Sequence, residues 1–166
     1  MAYNYAIESY GSEEISLFSS HLFKGTIKSI VYQKSPYSML WVLLTDGTIA
    51  VLVRQIEQEV KGWSLFDTQG LYESVASIPN DTEDQIWIIA NRTIQSITER
   101  YIEYFKPFNY GSDISDAFFL DSGLTAEGVS MTTISGLDHL EGKTVAVLAD
   151  GAVRSNKIVN SGSITL

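Results

Sequence analysis

Cysteine is absent from the 166 residues, which removes a disulfide framework and a thiolate metal site at once. Basic side chains are scarce: 11 Lys and Arg stand against 20 Asp and Glu, a formal charge of −9. A surface of that balance is not built to grip phosphate backbones. No run reaches the roughly 18 apolar residues that a membrane helix needs. Met1 to Glu14 also lacks the charged start and apolar core of a secretory signal. The expectation is a soluble protein with no membrane span, in which the sequons Asn80-Asp81-Thr82 and Asn91-Arg92-Thr93 are chance matches. The length allows one or two domains with a real core.

What the chain has in quantity is β patterning. Ile27 to Gln33 reads as a strand and Lys34 to Tyr37 as a break. Met39 to Thr45, almost unbroken apolar residues around Trp41, reads as a strand buried on both faces. Asp46-Gly47 follows at once and predicts a two-residue type I′ turn, which needs positive φ at both central positions. Thr48 to Arg54 is then the return strand, and Val60 to Asp67, centred on Trp63, a fourth and more solvent-facing one. Four up-and-down strands in about forty residues have the dimensions of one propeller blade. A looser copy follows. Ser29-Ile30-Val31 is echoed by Ser74-Val75-Ala76 at an offset of 45, and Trp41-Val42-Leu43-Leu44 by Trp87-Ile88-Ile89-Ala90 at an offset of 46. Ile78 to Asp84 is the loop before the second buried strand, and Thr98 to Phe105 a later strand of that copy.

At the start, Met1 to Tyr10 alternates as an extended segment would. Ser12 suits an N-cap, Glu13 and Glu14 suit a first helical turn, and Ile15, Phe18 and Leu22 follow at helical spacing before Gly25. One short helix over about 13–23 is expected, with His21 near its C-terminal end as a capping or packing residue rather than a catalytic one. Beyond Phe105 the composition changes. Pro107 to Asp116 reads as an ordered connector. After it, Ala117 to Leu120, Val129 to Ile134, Thr144 to Ala149, Ala152 to Val159 and Ser163 to Leu166 are short β segments between glycines, with a second Asp-Gly hairpin at Asp150-Gly151. Short strands so spaced predict a small barrel or sandwich.

Catalytic patterns are thin. Asp113, Asp116 and Asp121 could supply a carboxylate pair, yet they flank a loop and a strand start, where acids are ordinary solvated caps. Asp138 and His139 are neighbours in sequence, and His21 and His139 lie far apart without a third ligand pattern, which disfavours a metal site. Gly123 to Gly136 lacks the strand, glycine loop and helix order of a phosphate cradle. No nucleophile motif occurs. The three tryptophans lie in apolar strands, where core packing is favoured over a sugar platform. The expectation is no catalytic, cofactor-binding or metal-binding residue, and no cofactor.

Several words in fixed order carry a resemblance. They are His21-Leu22-Phe23, the Trp41 strand with Asp46-Gly47, Glu57-Gln58-Glu59-Val60 before Trp63, Glu73-Ser74-Val75-Ala76 with Ile78-Pro79, and Arg92-Thr93-Ile94. Arg100-Tyr101-Ile102-Glu103, Asp121-Ser122-Gly123-Leu124 and Gly136 to Val145 on to Asp150-Gly151 continue the series. The chain resembles the tail nozzle, or tail tubular protein B, family of short-tailed bacteriophages. Where such proteins place an Asn-Gly turn after Arg-Thr-Ile, Gln95-Ser96 stands here, so a longer or differently shaped hairpin is expected. The resemblance implies a non-catalytic structural part of the virion: a homo-oligomeric ring, six subunits by expectation, bound to tail adaptor and fibre proteins, through which DNA passes without specific binding. It implies a place in the phage tail, with assembly in the bacterial cytoplasm or origin in a prophage. Family members are much longer, so these residues would be an internal piece. The Gly136 to Leu166 region is similar to one sometimes labelled after a domain of ubiquitin-activating enzymes, which implies a shared small β barrel and not ligase chemistry.

The expected fold is all-β with one short N-terminal helix. Residues 1–106 form two propeller-blade-like units, 107–116 a connector, and 117–166 a small, incomplete β-barrel or sandwich domain. The rival function is a carbohydrate or receptor-binding module of a phage tail, which needs Trp63 or several tyrosines exposed together in a groove. An enzyme acting on cell-wall glycan would need two carboxyl groups about 5 to 10 Å apart in a cleft.

Overall fold

The computed structural model describes residues 2–4, 9–11, 14–55, 58, 60–106, 112, 123–128 and 130–166. The protein is all-β, built of several antiparallel sheets with short 3₁₀ turns. It divides into two compact units, 1–91 with 100–105, and 92–99 with 106–166. The expected connector 107–116, apart from Ser112, and the expected strand Ala117 to Leu120 lie outside the described residues.

In the first unit β1 (Ala2–Asn4) and β2 (Ser9–Gly11) pair antiparallel, Tyr3 opposite Tyr10, where a single extended segment over Met1 to Tyr10 is the expectation from sequence. The expected helix is replaced by a 3₁₀ turn, Leu17–Leu22, with non-helical geometry at Ser19 and no side-chain cap from Ser16. Ser12 and Glu13 lie outside the described residues. The spacing of Ile15, Phe18 and Leu22 misled because Ser19-Ser20 interrupts it with two residues that compete for backbone hydrogen bonds. Phe18 points to solvent, and Phe23, directly after the turn, supplies the anchor.

β3 (Ile27–Gln33), β4 (Met39–Leu44), β5 (Ile49–Gln55) and β6 (Val60–Phe66) form a four-stranded sheet in that order. β7 (Leu71–Pro79), β8 (Asp84–Ile94) and β9 (Ile97–Tyr104) form a second sheet of three strands. Every residue of β4 but Leu40 is fully buried, as its unbroken apolar sequence predicts. On one face Met39, Trp41 and Leu43, with Ile49 and Val51 of β5, pack against Tyr72 and Val75 of β7 and Ile86, Ile88 and Ala90 of β8. On the other, Val42, Leu44 and Ala50 lie under Phe23, Leu40 and Trp63.

The duplication read from the sequence extends to hydrogen-bond register. Val31 is opposite Trp41 and Ile30 opposite Val42, while Ala76 is opposite Trp87 and Val75 opposite Ile88. Register breaks between Ile27 and Ser29 in β3 and between Tyr72 and Ser74 in β7, so Lys28 and Glu73 are the extra residues of two bulges at equivalent places.

Turn chemistry differs from expectation at the β4–β5 and β8–β9 hairpins. At Asp46-Gly47 only Gly47 has positive φ, +81°. Gly47 N–H donates to the Leu44 carbonyl (3.1 Å) and Leu44 N–H to the Thr48 carbonyl (2.9 Å). The loop is therefore the three residues Thr45-Asp46-Gly47, a type I turn closed by a left-handed glycine, and not a two-residue type I′ turn. Asp46 instead fixes the return strand, its carboxylate accepting from the Thr48 hydroxyl at 2.7 Å and the Thr48 N–H at 3.1 Å. At Gln95-Ser96 both residues have positive φ, 49° and 67°, so this hairpin keeps a two-residue turn despite lacking glycine.

In the second unit β10 (Thr133–Ser135) pairs with β13 (Ser163–Thr165), and β11 (Thr144–Ala149) with β12 (Ala152–Ile158). Asp150-Gly151 makes the expected two-residue turn, φ being 53° and 71°. Among the described residues these two-stranded sheets do not close into a barrel. Leu137, Val159 and Ile164 are buried, with Ile134, Leu140, Val145 and Val147 packed around them.

Gly47 is a position where a side chain has neither room nor a suitable backbone conformation. A Cβ there would lie 2.9 Å from Leu71 Cβ and 3.2 Å from its Cα, in a left-handed backbone conformation. Gly47→Val is expected to destabilise the protein by about 2 kcal/mol or more, measured by chemical denaturation. An unchanged denaturation midpoint would contradict this account of the turn.

Candidate interaction surface

The chemistry-bearing side chains are spread over sheets and loops. His21 lies in the last turn of the 3₁₀ segment Leu17–Leu22, in the first unit. His139 lies in the 3₁₀ turn Asp138–Leu140, in the second. Asp113, Asp116 and Asp121 lie outside the described residues. Among the described residues no three His, Asp or Glu side chains come together in a way that could hold a metal ion. No described helix is long and apolar enough to cross a membrane.

Polar groups are instead assembled into two networks that fix the sheets of the first unit. One begins at Trp41, whose indole N–H is buried and donates to Gln33 Oε1 at 3.0 Å. Gln33 Nε2 donates to the carbonyls of Ser35 (3.2 Å) and Asp84 (3.0 Å). The Asp84 carboxylate accepts the backbone N–H groups of Lys34 (2.7 Å) and Ser35 (3.1 Å), and Asp84 N–H returns a bond to the Ser35 carbonyl. The loop after β3 is thereby tied to the first residue of β8. Among the described residues no buried side-chain nitrogen or oxygen lacks a hydrogen-bond partner.

The second network surrounds the Glu73 bulge. Arg100 on β9 pairs with the Glu73 carboxylate, and Asn91 Nδ2 on β8 donates to Glu73 Oε1 at 3.0 Å. Lys28, the bulge residue of the first sheet, donates Nζ to the Glu73 backbone carbonyl at 2.8 Å. The hydrogen bond from Arg100, followed by that from Asn91, lowers the Glu73 pKa below its ordinary value of 4.5. The same bond raises that of Arg100. One carboxylate thus links all three strands of the second sheet, and its main chain reaches the first sheet. Nothing in the sequence words marked this role, since a bulge is visible only once strand register is known.

The aromatic side chains bear on the glycan-binding alternative. Trp41 is in the core against Phe66 and Phe105, at ring-centroid distances of 5.6 and 4.9 Å. Trp63 is half-buried, edge-on to Phe23 at 4.9 Å, with its indole N–H on the Ile15 carbonyl (2.9 Å). Trp87 lies against Tyr104 at 5.2 Å, and its N–H donates to Gln85 Oε1 (3.1 Å). Each indole N–H is used within the fold, so no tryptophan stands open in the manner of a sugar platform. What the first unit does expose is aliphatic and tyrosine surface on its sheets: Ile27, Ile30 and Tyr32 on β3, and Ile102 and Tyr104 on β9.

No family model matches the chain, and no curated protein matches it.

Because the folded-state pKa of Glu73 is depressed, its ion pair stabilises the fold above the unfolded value and is lost as pH falls through the folded one. Glu73→Gln is expected to lower the melting temperature near pH 7, with the gap from the parent closing as pH falls below about 4.5. A gap that stays constant down to acid pH would show that the carboxylate charge is not what the network uses.

Proposed function

We propose that the chain is a non-catalytic structural component of a phage tail, a nozzle or tail-tube ring subunit past which DNA moves without being held. The observation that carries this reading is the duplicated antiparallel framework, because the words of resemblance fall in order along it. The Trp41 word is β4, Glu73 to Ala76 lies in β7, Arg92 to Ile94 ends β8 and Arg100 to Glu103 lies in β9, while Gly136 to Val145 lies outside that framework and leads into β11. The same reading includes a ring of six subunits, adaptor and fibre proteins as neighbours, and assembly in the bacterial cytoplasm or from a prophage. The glycan-binding module is disfavoured by the placement of Trp63 against Phe23.

Immunoelectron microscopy tests the location directly. Antibodies raised against the chain are expected to label the distal end of the tail on particles produced by the host that carries this gene. Particles that contain none of the chain would overturn the reading.

A wall that lets a polyanion slide cannot hold it. Affinity for duplex DNA comes mainly from Lys and Arg that neutralise phosphates and release counterions. From Gly111 onward only Lys143, Arg154 and Lys157 are basic, against seven acidic residues. No measurable binding is expected in an anisotropy titration with labelled duplex at about 0.15 M salt, where the Debye length is roughly 8 Å. A micromolar complex that weakened steeply with added salt would point to a dedicated DNA-binding role.

A further inference from the structure

Two aspartates of the chain are followed directly by glycine, in Asp46-Gly47 and Asp150-Gly151. Such a pair carries its own chemistry. Glycine has no Cβ to shield its nitrogen, which can attack the preceding aspartyl carboxyl group and close a five-membered succinimide. The N–Cγ bond forms, and the hydroxyl group of the acid leaves as water with the amide proton. Water then opens the ring at either carbonyl. Opening at Cγ restores aspartate, whereas opening at the main-chain carbonyl leaves isoaspartate, with the main chain running through Cγ. No oxidant, reductant or cofactor enters, and the water lost in the first step returns in the second. What the fold controls is whether the carboxyl group and the following nitrogen are free to meet.

At Asp46-Gly47 both groups are held. Asp46 Oδ1 accepts from the Thr48 N–H and hydroxyl, and the Gly47 N–H donates to the Leu44 carbonyl. Gly47 is buried against Leu71, and its carbonyl accepts the Tyr72 N–H at 2.9 Å. The strands on either side lie within a four-stranded sheet, where Leu44 and Ile49 are fully buried, so opening this turn would break core packing. Asp150-Gly151 is placed differently. The Asp150 side chain is 92% exposed, and its contact with Arg154 at 3.8 Å is a surface ion pair of little strength. The space around Gly151 is open. β11 and β12 form a sheet of two strands, which is marginal by itself, and none of the tip residues 148–153 is buried. Leu148 and Val153, the pair that flanks the turn, are 70% and 84% exposed, so this tip opens at little cost.

Ring closure needs rotation about the main chain at the aspartate, which a closed hairpin resists, so the reaction follows the opening of the turn. We propose that Asp150 is a site of spontaneous isoaspartate formation, through a succinimide closed by the Gly151 nitrogen, and that the fold protects Asp46 from the same reaction. The product does not fit where it forms. Isoaspartate adds a carbon to the main chain of a two-residue turn whose φ angles are 53° and 71°, so the Ala149–Ala152 and Leu148–Val153 pairs lose their register. The modification therefore loosens the β11–β12 hairpin. It rests on the turn alone and is independent of the tail reading, so either can fail without the other.

Peptide mapping of the full chain, aged for several weeks at neutral pH, tests the proposal. Trypsin releases Asp150 in the peptide 144–154 and Asp46 in the peptide 35–54. Chromatography separates the isoaspartyl form of each peptide, and ageing in heavy-oxygen water marks every ring opening. In the native protein isoaspartate is expected to build up at least about tenfold faster in 144–154 than in 35–54, and in urea at similar rates in both. Equal native rates overturn the proposal, as does a native 144–154 peptide that stays unmodified while the unfolded chain reacts. Asp150→Glu keeps the charge but cannot close a five-membered ring, and it is aged beside the parent. Cleavage after Arg154 in brief digests is expected to quicken with age in the parent alone, and an equal quickening in the variant overturns the link between ring closure and a loosened hairpin. Circular dichroism checks that the variant keeps the fold, and the parent maps decide the matter if it does not.

Discussion

The first unit depends on a strand that cannot meet water on either side. β4 sends Met39, Trp41 and Leu43 one way and Leu40, Val42 and Leu44 the other, and all but Leu40 are fully buried. Burying each such side chain contributes about 1.5 to 3 kcal/mol, so both layers over β4 are required for the sheet to exist. The second sheet covers one side, and Phe23 with Trp63 covers the other. The same arrangement brings a polar demand. Trp41 carries an N–H into the core, and an unmade hydrogen bond there would cost about 1 to 3 kcal/mol. Gln33 meets it, and Gln33 is held in turn by backbone carbonyls at Ser35 and Asp84. Packing and hydrogen bonding therefore fix the same relation between the two sheets.

Duplication makes that relation repeatable. The bulges at Lys28 and Glu73 occupy equivalent registers, and Lys28 reaches from one to the carbonyl of the other. A bulge twists its strand and frees one main-chain carbonyl from the ladder, which is how a side chain of the neighbouring sheet finds an acceptor there. The two sheets differ where their surroundings differ. Gln33, which serves the Trp41 indole, corresponds to Ile78, and the Trp87 indole turns to Gln85 on its own strand instead. Trp87 is half-buried rather than enclosed, so its N–H had no need of a relay across sheets.

The β architecture was legible in the sequence because strand signals here are local. Apolar runs, alternation and turn residues place β3 to β6 and β9 within a residue of where they lie, whereas β7 and β8 extend beyond the short echoes Ser74 to Ala76 and Trp87 to Ala90 and take up Ile78 and Pro79, which read as loop. The helix at 13–23 was misread because periodicity registers apolar positions and not the serines that break the segment between them. The Asp46-Gly47 loop was misread in type and not in place. The dipeptide marks a turn, but whether Asp46 adopts positive φ depends on the pairing of Leu44 with Thr48, a property of two strands together. Gln95-Ser96 shows the converse, a tight turn formed by residues that carry little signal for it, held between long strands that leave no other closure. The Glu73 network was not legible at all. Lys28, Asn91 and Arg100 lie 45, 18 and 27 positions from Glu73, and only the register of β7, β8 and β9 and the packing of β3 against β7 bring them together.

Acid excess bears on how the open sheet surface behaves in water. A chain whose sheets leave aliphatic strips open would associate without discrimination if it carried no net charge, because apolar contact has no direction. A net charge of −9 sets a long-range repulsion against every approach, so only a contact with enough matched apolar area can overcome it. The same repulsion acts on nucleic acid, which has no apolar face to offset it. One property of composition thus opposes both indiscriminate apolar contact and the approach of a polyanion.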